Sequence, residues 1–245
     1  MGYIIFSLLF WLFIIVSSII IFLGAFVLWL FTFPFDKRLW LQHRYSCWWA
    51  SIYLWLNPFW DLRIEGRENI DHSQVYVAVS NHQSMLDIPV IHSLFFHFKW
   101  VSKKENLYVP FIGWNMILNR YVVIDRANRK SIIKMMSDCR HHIEKGSSIM
   151  IFPEGTRTTD GNLQKFKEGA FTLAKQTKSP ILPVVLDGTG ESLPKKGFVI
   201  HKKSLIRVRV LEPVMPDEFE DIDSQELSNK VRGLMESALA DLRRS

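Results

Sequence analysis

Thirty-five residues pass before this chain places its first charge, Asp36, and none of them is Asp, Glu, Lys, Arg or His. Of those residues 28 are hydrophobic; the others are Gly2, Ser7, Ser17, Ser18, Gly24, Thr32 and Pro34. As one helix, the run from Tyr3 to Phe33 would be about 46 Å long, against a bilayer core of about 30 Å. It must tilt strongly, break, or lie partly in the interface, with Ser17-Ser18 and Gly24 as candidate breaks. A tilted span and a shallow helical hairpin both satisfy the pattern. A cleaved signal peptide would want a positive start, a shorter apolar run and a small-residue cleavage site, so the segment is expected to stay on the protein. Lys37, Arg38 and Arg44 follow the run and nothing positive precedes it. The positive-inside rule then puts the remainder on the cytoplasmic face of a membrane.

Residues 39–60 continue the theme. Trp40, Trp48, Trp49, Trp55 and Trp60 are five of the nine tryptophans, and such rings favour the headgroup level. They are expected at the interface, although a tryptophan-rich core helix has the same composition. The chain divides at about residue 60: residues 1–60 as membrane-embedding and interfacial helices, residues 61–245 as a domain of ordinary globular composition. Cys47 and Cys139 are too few for a disulfide framework and form no C-x-x-C pair. The formal charge of +6 does not require nucleic acid, because an anionic lipid surface accounts for it and no aromatic readout motif accompanies the lysines.

Beyond Asp61, short β-type runs alternate with helical patterns. The runs are Val75–Val79, Tyr121–Ile124, Ser148–Phe152, Ile181–Leu186 and Leu205–Leu211. Ser131–Ile143 reads as a helix burying Ile132, Ile133, Met136, Cys139 and Ile143, and Glu168–Thr177 as a shorter one. The last helix opens with Asp223 and Glu226 in capping-box spacing and carries an apolar stripe from Leu227 to Leu242. Strands alternating with helices define an α/β domain with a mixed, largely parallel sheet flanked by helices.

Two segments directly follow strands, where open α/β sheets place their ligands. The first is Asn81-His82-Gln83-Ser84-Met85-Leu86-Asp87. His82 and Asp87 can meet if His82 precedes the first helical turn and Asp87 lies within it. A carboxylate on one imidazole nitrogen would make the other a better base. The same residues would also suit a plain helix start, with Asn81 as cap and Asp87 in solvent. The second is Phe152-Pro153-Glu154-Gly155-Thr156-Arg157. Here Gly155 permits close backbone approach, and Arg157 offers a fork suited to phosphate. Glu154 could accept from a hydroxyl or hold an arginine; a simple turn with a surface ion pair fits too. Asp125-Arg126 follows another strand, Lys103-Lys104 precede the segment Val109–Trp114, and Lys165 and Lys167 flank Phe166. Gly188-Thr189-Gly190 lacks the third glycine and the helix of a dinucleotide loop. There is no G-x-S-x-G nucleophile elbow, and the histidines lack metal-ligand spacing, so no metal is expected.

These segments resemble, in order, the blocks of the lysophospholipid and glycerolipid acyltransferase family, most closely its bacterial 1-acylglycerol-3-phosphate branch. The match runs from Asn81–Asp87, through Ser102–Glu105, Pro110–Gly113 and Ile124–Arg126, to Phe152–Arg157 with Phe166–Ala170, and ends at Ile181–Val184. It covers roughly residues 60–215. Where the family often carries a glycine shortly before the Ile-Asp-Arg triplet, this chain has Asn119-Arg120. Where leucine usually follows the Lys-Glu pair, it has Asn106. The resemblance implies transfer of an acyl group from a thioester to the free hydroxyl of lysophosphatidic acid, giving phosphatidic acid. His82 would be the general base and Asp87 its orienting partner. Arg157 and Arg126 would hold the acceptor phosphate, with Lys103 as a weaker contributor and Glu154 and Gly155 lining the acceptor. Backbone N–H groups near Gln83 or Gly155 would stabilise the oxyanion. No cofactor is expected beyond the co-substrate, acyl-CoA or acyl carrier protein, and the lipid bilayer is the expected partner. Another lysolipid acceptor, or a silent lipid-binding protein, are the alternatives.

Overall fold

The computed structural model describes residues 2–194, 197–200 and 203–244. A seven-stranded sheet runs in the order β1-β7-β6-β2-β5-β3-β4. Its strands are β1 (Trp60–Glu65), β2 (Val77–Ser80), β3 (Phe98–Lys103), β4 (Val122–Ile124), β5 (Ser148–Ile151), β6 (Ile181–Asp187) and β7 (Ser204–Val210). The five strands from β6 to β4 are mutually parallel. β7 is antiparallel to β6, and β1 pairs parallel with β7. The sheet is therefore mixed and largely parallel, as the alternating pattern required. β2 lies between β5 and β6, so crossovers leave it in both directions and open a crevice beyond its carboxyl end.

The central strands are apolar on both faces because helices cover both. On one side lie α5 (Arg129–Glu144), α6 (Gly169–Thr177) and α8 (Ser224–Arg244), packed on Val77, Val79, Ile149, Ile181 and Val185. On the other lie α2 (Trp40–Trp55) and α3 (Asp87–His92), with the N-terminal part of α1 (Gly2–Thr32), packed on Ala78, Met150, Leu182, Val184 and Leu186. Short helices α4 (Ile112–Leu118) and α7 (Thr189–Ser192) complete the element order. The α5 face differs from its sequence reading. Met135, Cys139 and Ile143 are buried, whereas Ile132 and Ile133 face outward. The α8 stripe is buried except for Leu234, and the Glu226 N–H donates to the Asp223 carboxylate at 2.8 Å.

The apolar run is one helix of 31 residues, unbroken at Ser17-Ser18 and at Gly24. The hydroxyls that suggested a break bond instead to Tyr53 Oη, both at 3.0 Å, and Ser17 also donates to the Phe13 carbonyl. Gly24 faces Tyr45, whose hydroxyl donates to the Ile21 carbonyl at 3.0 Å. Further contacts lie near its start, where Phe6 meets Phe59, and past its middle, where Phe22 meets Trp114. The outer side, from Ile4 through Leu8, Leu12, Ile15 and Leu23 to Leu30, is exposed. Of the five tryptophans in residues 39–60, Trp40, Trp48 and Trp55 are exposed, but Trp49 and Trp60 are in the core.

Candidate active site

β2 ends at Ser80, and the next residue fixes the loop to the neighbouring strand. The Asn81 side chain donates to the Leu186 carbonyl and accepts from the Leu186 N–H, each at 2.8 Å. Asn81 is thus a bridge to β6 rather than a helix cap. His82 comes next, before any helical turn, and Asp87 is the first residue of α3. Their side chains meet, with His82 Nδ1 2.7 Å from Asp87 Oδ2. The same carboxylate oxygen accepts from the N–H groups of Gln83 at 2.7 Å and Ser84 at 2.9 Å. Asp87 is wholly buried, so these three donors supply what water would otherwise give its charge. The imidazole lies flat on Phe152, with centroids 4.0 Å apart and an 8° interplanar angle. The carboxylate fixes Nδ1 as the protonated nitrogen and leaves Nε2 as the acceptor.

Phe152 also opens the turn after β5, which lies against the His82 loop. Glu154 Oε1 accepts the His82 backbone N–H at 3.2 Å, and the Thr158 N–H donates to the His82 carbonyl at 2.8 Å. Glu154 is buried, and burial pushes its carboxyl up to about 7 against the pull of the His82 and Gln164 backbone N–H groups. It is a strut under the histidine loop. Gly155 sits at φ +75°, where side chains are strained, and a Cβ there would stand 3.0 Å from Lys167 Nζ. The Arg126 guanidinium donates to the Gly155 carbonyl. Arg126 and Lys167 therefore converge on this glycine.

Arg157 is half-buried and lines a cleft with Met85, Leu193 and Phe198. Lys103 closes β3 beside Ile124, with its side chain exposed, while Lys104 pairs with Asp125 at 2.5 Å. All these residues follow parallel strands and share the carboxyl edge of the sheet. A polar cavity between Arg38, Gln74, His97 and Ser148 lies at the opposite, amino edge.

Two expectations need correction. The N–H groups of Gln83 and Gly155 are not available to an oxyanion: the first is taken by Asp87 and the second by the Phe152 carbonyl at 3.1 Å. A one-turn helix, α7, does follow Gly188. It carries Thr189, whose hydroxyl bonds Gln83 Oε1 at 3.3 Å, so this loop buttresses the histidine segment. The side chains of Phe152 and Gln83 were given no role from the sequence. Ring stacking and side-chain bonds to distant carbonyls leave no local pattern that could have flagged them.

The histidine–aspartate pair stands at the carboxyl edge of the sheet, and the hydroxyl of nearby Ser84 is taken by the Leu193 carbonyl. The chain belongs to the acyltransferase family, whose model matches residues 61–187. It is 37% identical over 203 residues to the chloroplastic 1-acyl-sn-glycerol-3-phosphate acyltransferase of Brassica napus, covering 82% of this chain and 58% of that protein. It is 31% identical to the 1-acyl-sn-glycerol-3-phosphate acyltransferase of Pseudomonas aeruginosa, covering 79% of this chain and 76% of that one. The chain spans only about half to three-fifths of the length of the plant and algal relatives it matches first. Among solved structures, the 1-acyl-sn-glycerophosphate (LPA) acyltransferase of Thermotoga maritima superposes with a TM-score of 0.80 at 27% identity, over 99% of this chain and 98% of that one.

Proposed function

We propose that this protein transfers a fatty acyl group from a thioester donor to the free glycerol hydroxyl of lysophosphatidic acid, giving phosphatidic acid. The observation that carries this reading is the 2.7 Å contact between His82 Nδ1 and the buried Asp87 carboxylate, which leaves Nε2 to act as base. In the reaction, Nε2 takes the hydroxyl proton as the oxygen attacks the thioester carbonyl. The tetrahedral adduct collapses, the C–S bond breaks, and the imidazolium returns the proton to the departing thiolate. Asp87 holds the tautomer and stabilises the imidazolium between these events. Arg157 and Arg126, with Lys103 at the rim, supply cations for the acceptor phosphate, and Arg suits it because its fork matches phosphate oxygens. The names of the relatives support this acceptor. The donor is acyl-CoA or acyl carrier protein, both anionic and both suited to a basic surface.

The apolar helix supports a site held at a bilayer, on its cytoplasmic face. Because α1 is packed along its length against the domain, the reading favoured is a helix lying in one leaflet rather than a span standing clear of the domain. The test is turnover by the purified protein in vesicles, with lysophosphatidic acid offered against each donor. Phosphatidic acid should form, and His82→Ala should lower kcat by about 10²–10⁴-fold, the range for loss of a positioned base. Acylation of a phosphate-free lysolipid but not of lysophosphatidic acid would refute the acceptor assignment, and unchanged turnover in the variant would refute the mechanism.

A further inference from the structure

Arg157 does not stand in an all-polar setting. The cleft it lines is walled by Trp11 of α1, by Met85 of the histidine segment, and by Leu193, Pro194, Gly197 and Phe198. Two pieces of this wall are fastened. The Ser84 hydroxyl donates to the Leu193 carbonyl at 2.6 Å, tying Leu193 to the loop that carries His82. The Trp11 indole N–H donates to the Phe198 carbonyl at 2.6 Å, and the Ile200 N–H donates to Ser7 Oγ at 2.9 Å, tying Phe198 and Ile200 to α1. The Trp11 and Phe198 rings meet edge to face at 6.1 Å. Phe198 itself remains 73% exposed.

The result is a cleft in which a guanidinium shares the wall with apolar side chains. Such a cleft matches an amphiphile with one anionic end and one hydrocarbon chain. The position relative to the chemistry is set by sequence: Met85 is three residues from His82, and Arg157 is three residues from the Glu154 that bonds the His82 N–H. We propose that this cleft receives the single acyl chain of the acceptor lysolipid, with its phosphate drawn to Arg157 and its chain running past Met85, Trp11 and Phe198 toward the outer face of α1. The assignment rests on the acceptor reading above. It goes to the acceptor rather than the donor because the acceptor resides in the bilayer that α1 would contact, whereas the donor arrives on a water-soluble carrier.

Gly197 gives a clean test. A Cβ added there has the Pro194 ring as its nearest neighbour, in ordinary van der Waals contact at 3.6–3.8 Å, so Gly197→Phe is chosen to introduce a ring at a residue that lines the cleft. With oleoyl lysophosphatidic acid in vesicles, its KM should rise about tenfold or more, the scale of losing several methylene contacts. The KM for the donor should not move, and hexanoyl lysophosphatidic acid should lose much less. Independently of turnover, oleoyl-type lysophosphatidic acid carrying a diazirine at the chain end should label peptides containing Trp11 or Phe198. Unlabelled lysophosphatidic acid should compete and the donor should not. Equal loss for both chain lengths, a raised donor KM, or labelling elsewhere would overturn the proposal. If lysophosphatidic acid labels the cleft but is not acylated, the acceptor reading fails and the cleft assignment stands. If it is acylated but labels elsewhere, the reverse holds.

Discussion

At the level of single residues, Asp87 and Glu154 show how burial divides the work of two carboxylates in one site. Asp87 is given three donors on one oxygen. Glu154 is given backbone N–H groups alone and is pushed up to about 7 by burial. Between the ordinary carboxyl range and pH 7, the folded protein then holds a proton on Glu154 that the unfolded chain has released. More protons are bound in the native state, so this group's contribution to stability falls as pH rises through that window. Gln at 154 cannot titrate, and its amide oxygen can still accept the His82 N–H. The stability of Glu154→Gln relative to the parent should therefore climb between pH 5 and pH 7.5 by about 1–3 kcal/mol, since a tenfold difference in proton affinity between the folded and unfolded chain is worth about 1.4 kcal/mol. Thermal unfolding of the two proteins across that range measures it, and a pH-independent difference would contradict the burial argument. The pairing of His82 with Asp87 was legible because both residues sit at fixed offsets from a strand end. The strut role of Glu154 was not, because its partner is a backbone N–H, which every residue but proline carries.

Among the elements, β2, β4, β5, β6 and β7 were readable as apolar or alternating runs. β1 and β3 were not. β3 contains Lys99, which is 1% exposed, its ammonium held by the carbonyls of Arg38 and Asn119 at 2.8 and 2.9 Å. A lysine reads as surface until such distant acceptors are known. β1 carries Asp61, Arg63 and Glu65, so only its pairing with β7 reveals it. Arg120 belongs with these surprises. It occupies a left-handed backbone conformation at φ 53°, in the stretch where the resembling family often has glycine, and its guanidinium lies over the Phe33 ring at 5.6 Å. The continuity of α1 is set by tertiary contact as well. At Gly24 a Cβ would stand 2.5 Å from Tyr45 Oη, so glycine here is an approach site and not a hinge. Gly24→Ala should cost about 1 kcal/mol net, as crowding outweighs the gain of about 1 kcal/mol in helix propensity. In a Tyr45→Phe background the nearest atom becomes Cζ, at 3.4 Å, and the same alanine should become neutral or stabilising. A double-mutant cycle by thermal unfolding reads the coupling, and strictly additive effects would disprove the contact argument.

For the molecule as a whole, α1 contributes a flank and not a tether. It meets Phe59 and Trp60 near its start, Tyr53 and Tyr45 in its middle, and Trp114 beyond them. Its outer stripe continues into exposed Tyr108, Ile112 and Ile117, an apolar surface much larger than a soluble monomer leaves uncovered. A helix so attached brings the carboxyl edge of the sheet, and with it His82, to whatever the stripe touches. The proposed leaflet position makes a sharp prediction about the exposed Ile15, Ile19, Leu23 and Val27, which follow Trp11 toward the C-terminal end of α1. Changing all four, each 41–59% exposed, to Gln keeps helix propensity high. At about half exposure, each apolar side chain withdrawn from lipid forfeits about 0.75–1.5 kcal/mol of burial, so vesicle affinity should drop by at least about 10²-fold. Circular dichroism and thermal unfolding in detergent should be unchanged. Turnover should fall on acceptor embedded in vesicles yet remain within a few-fold of the parent on detergent-dispersed acceptor, where no bilayer has to be found. A variant that still co-sediments with vesicles would mean that α1 presents its stripe to something other than lipid.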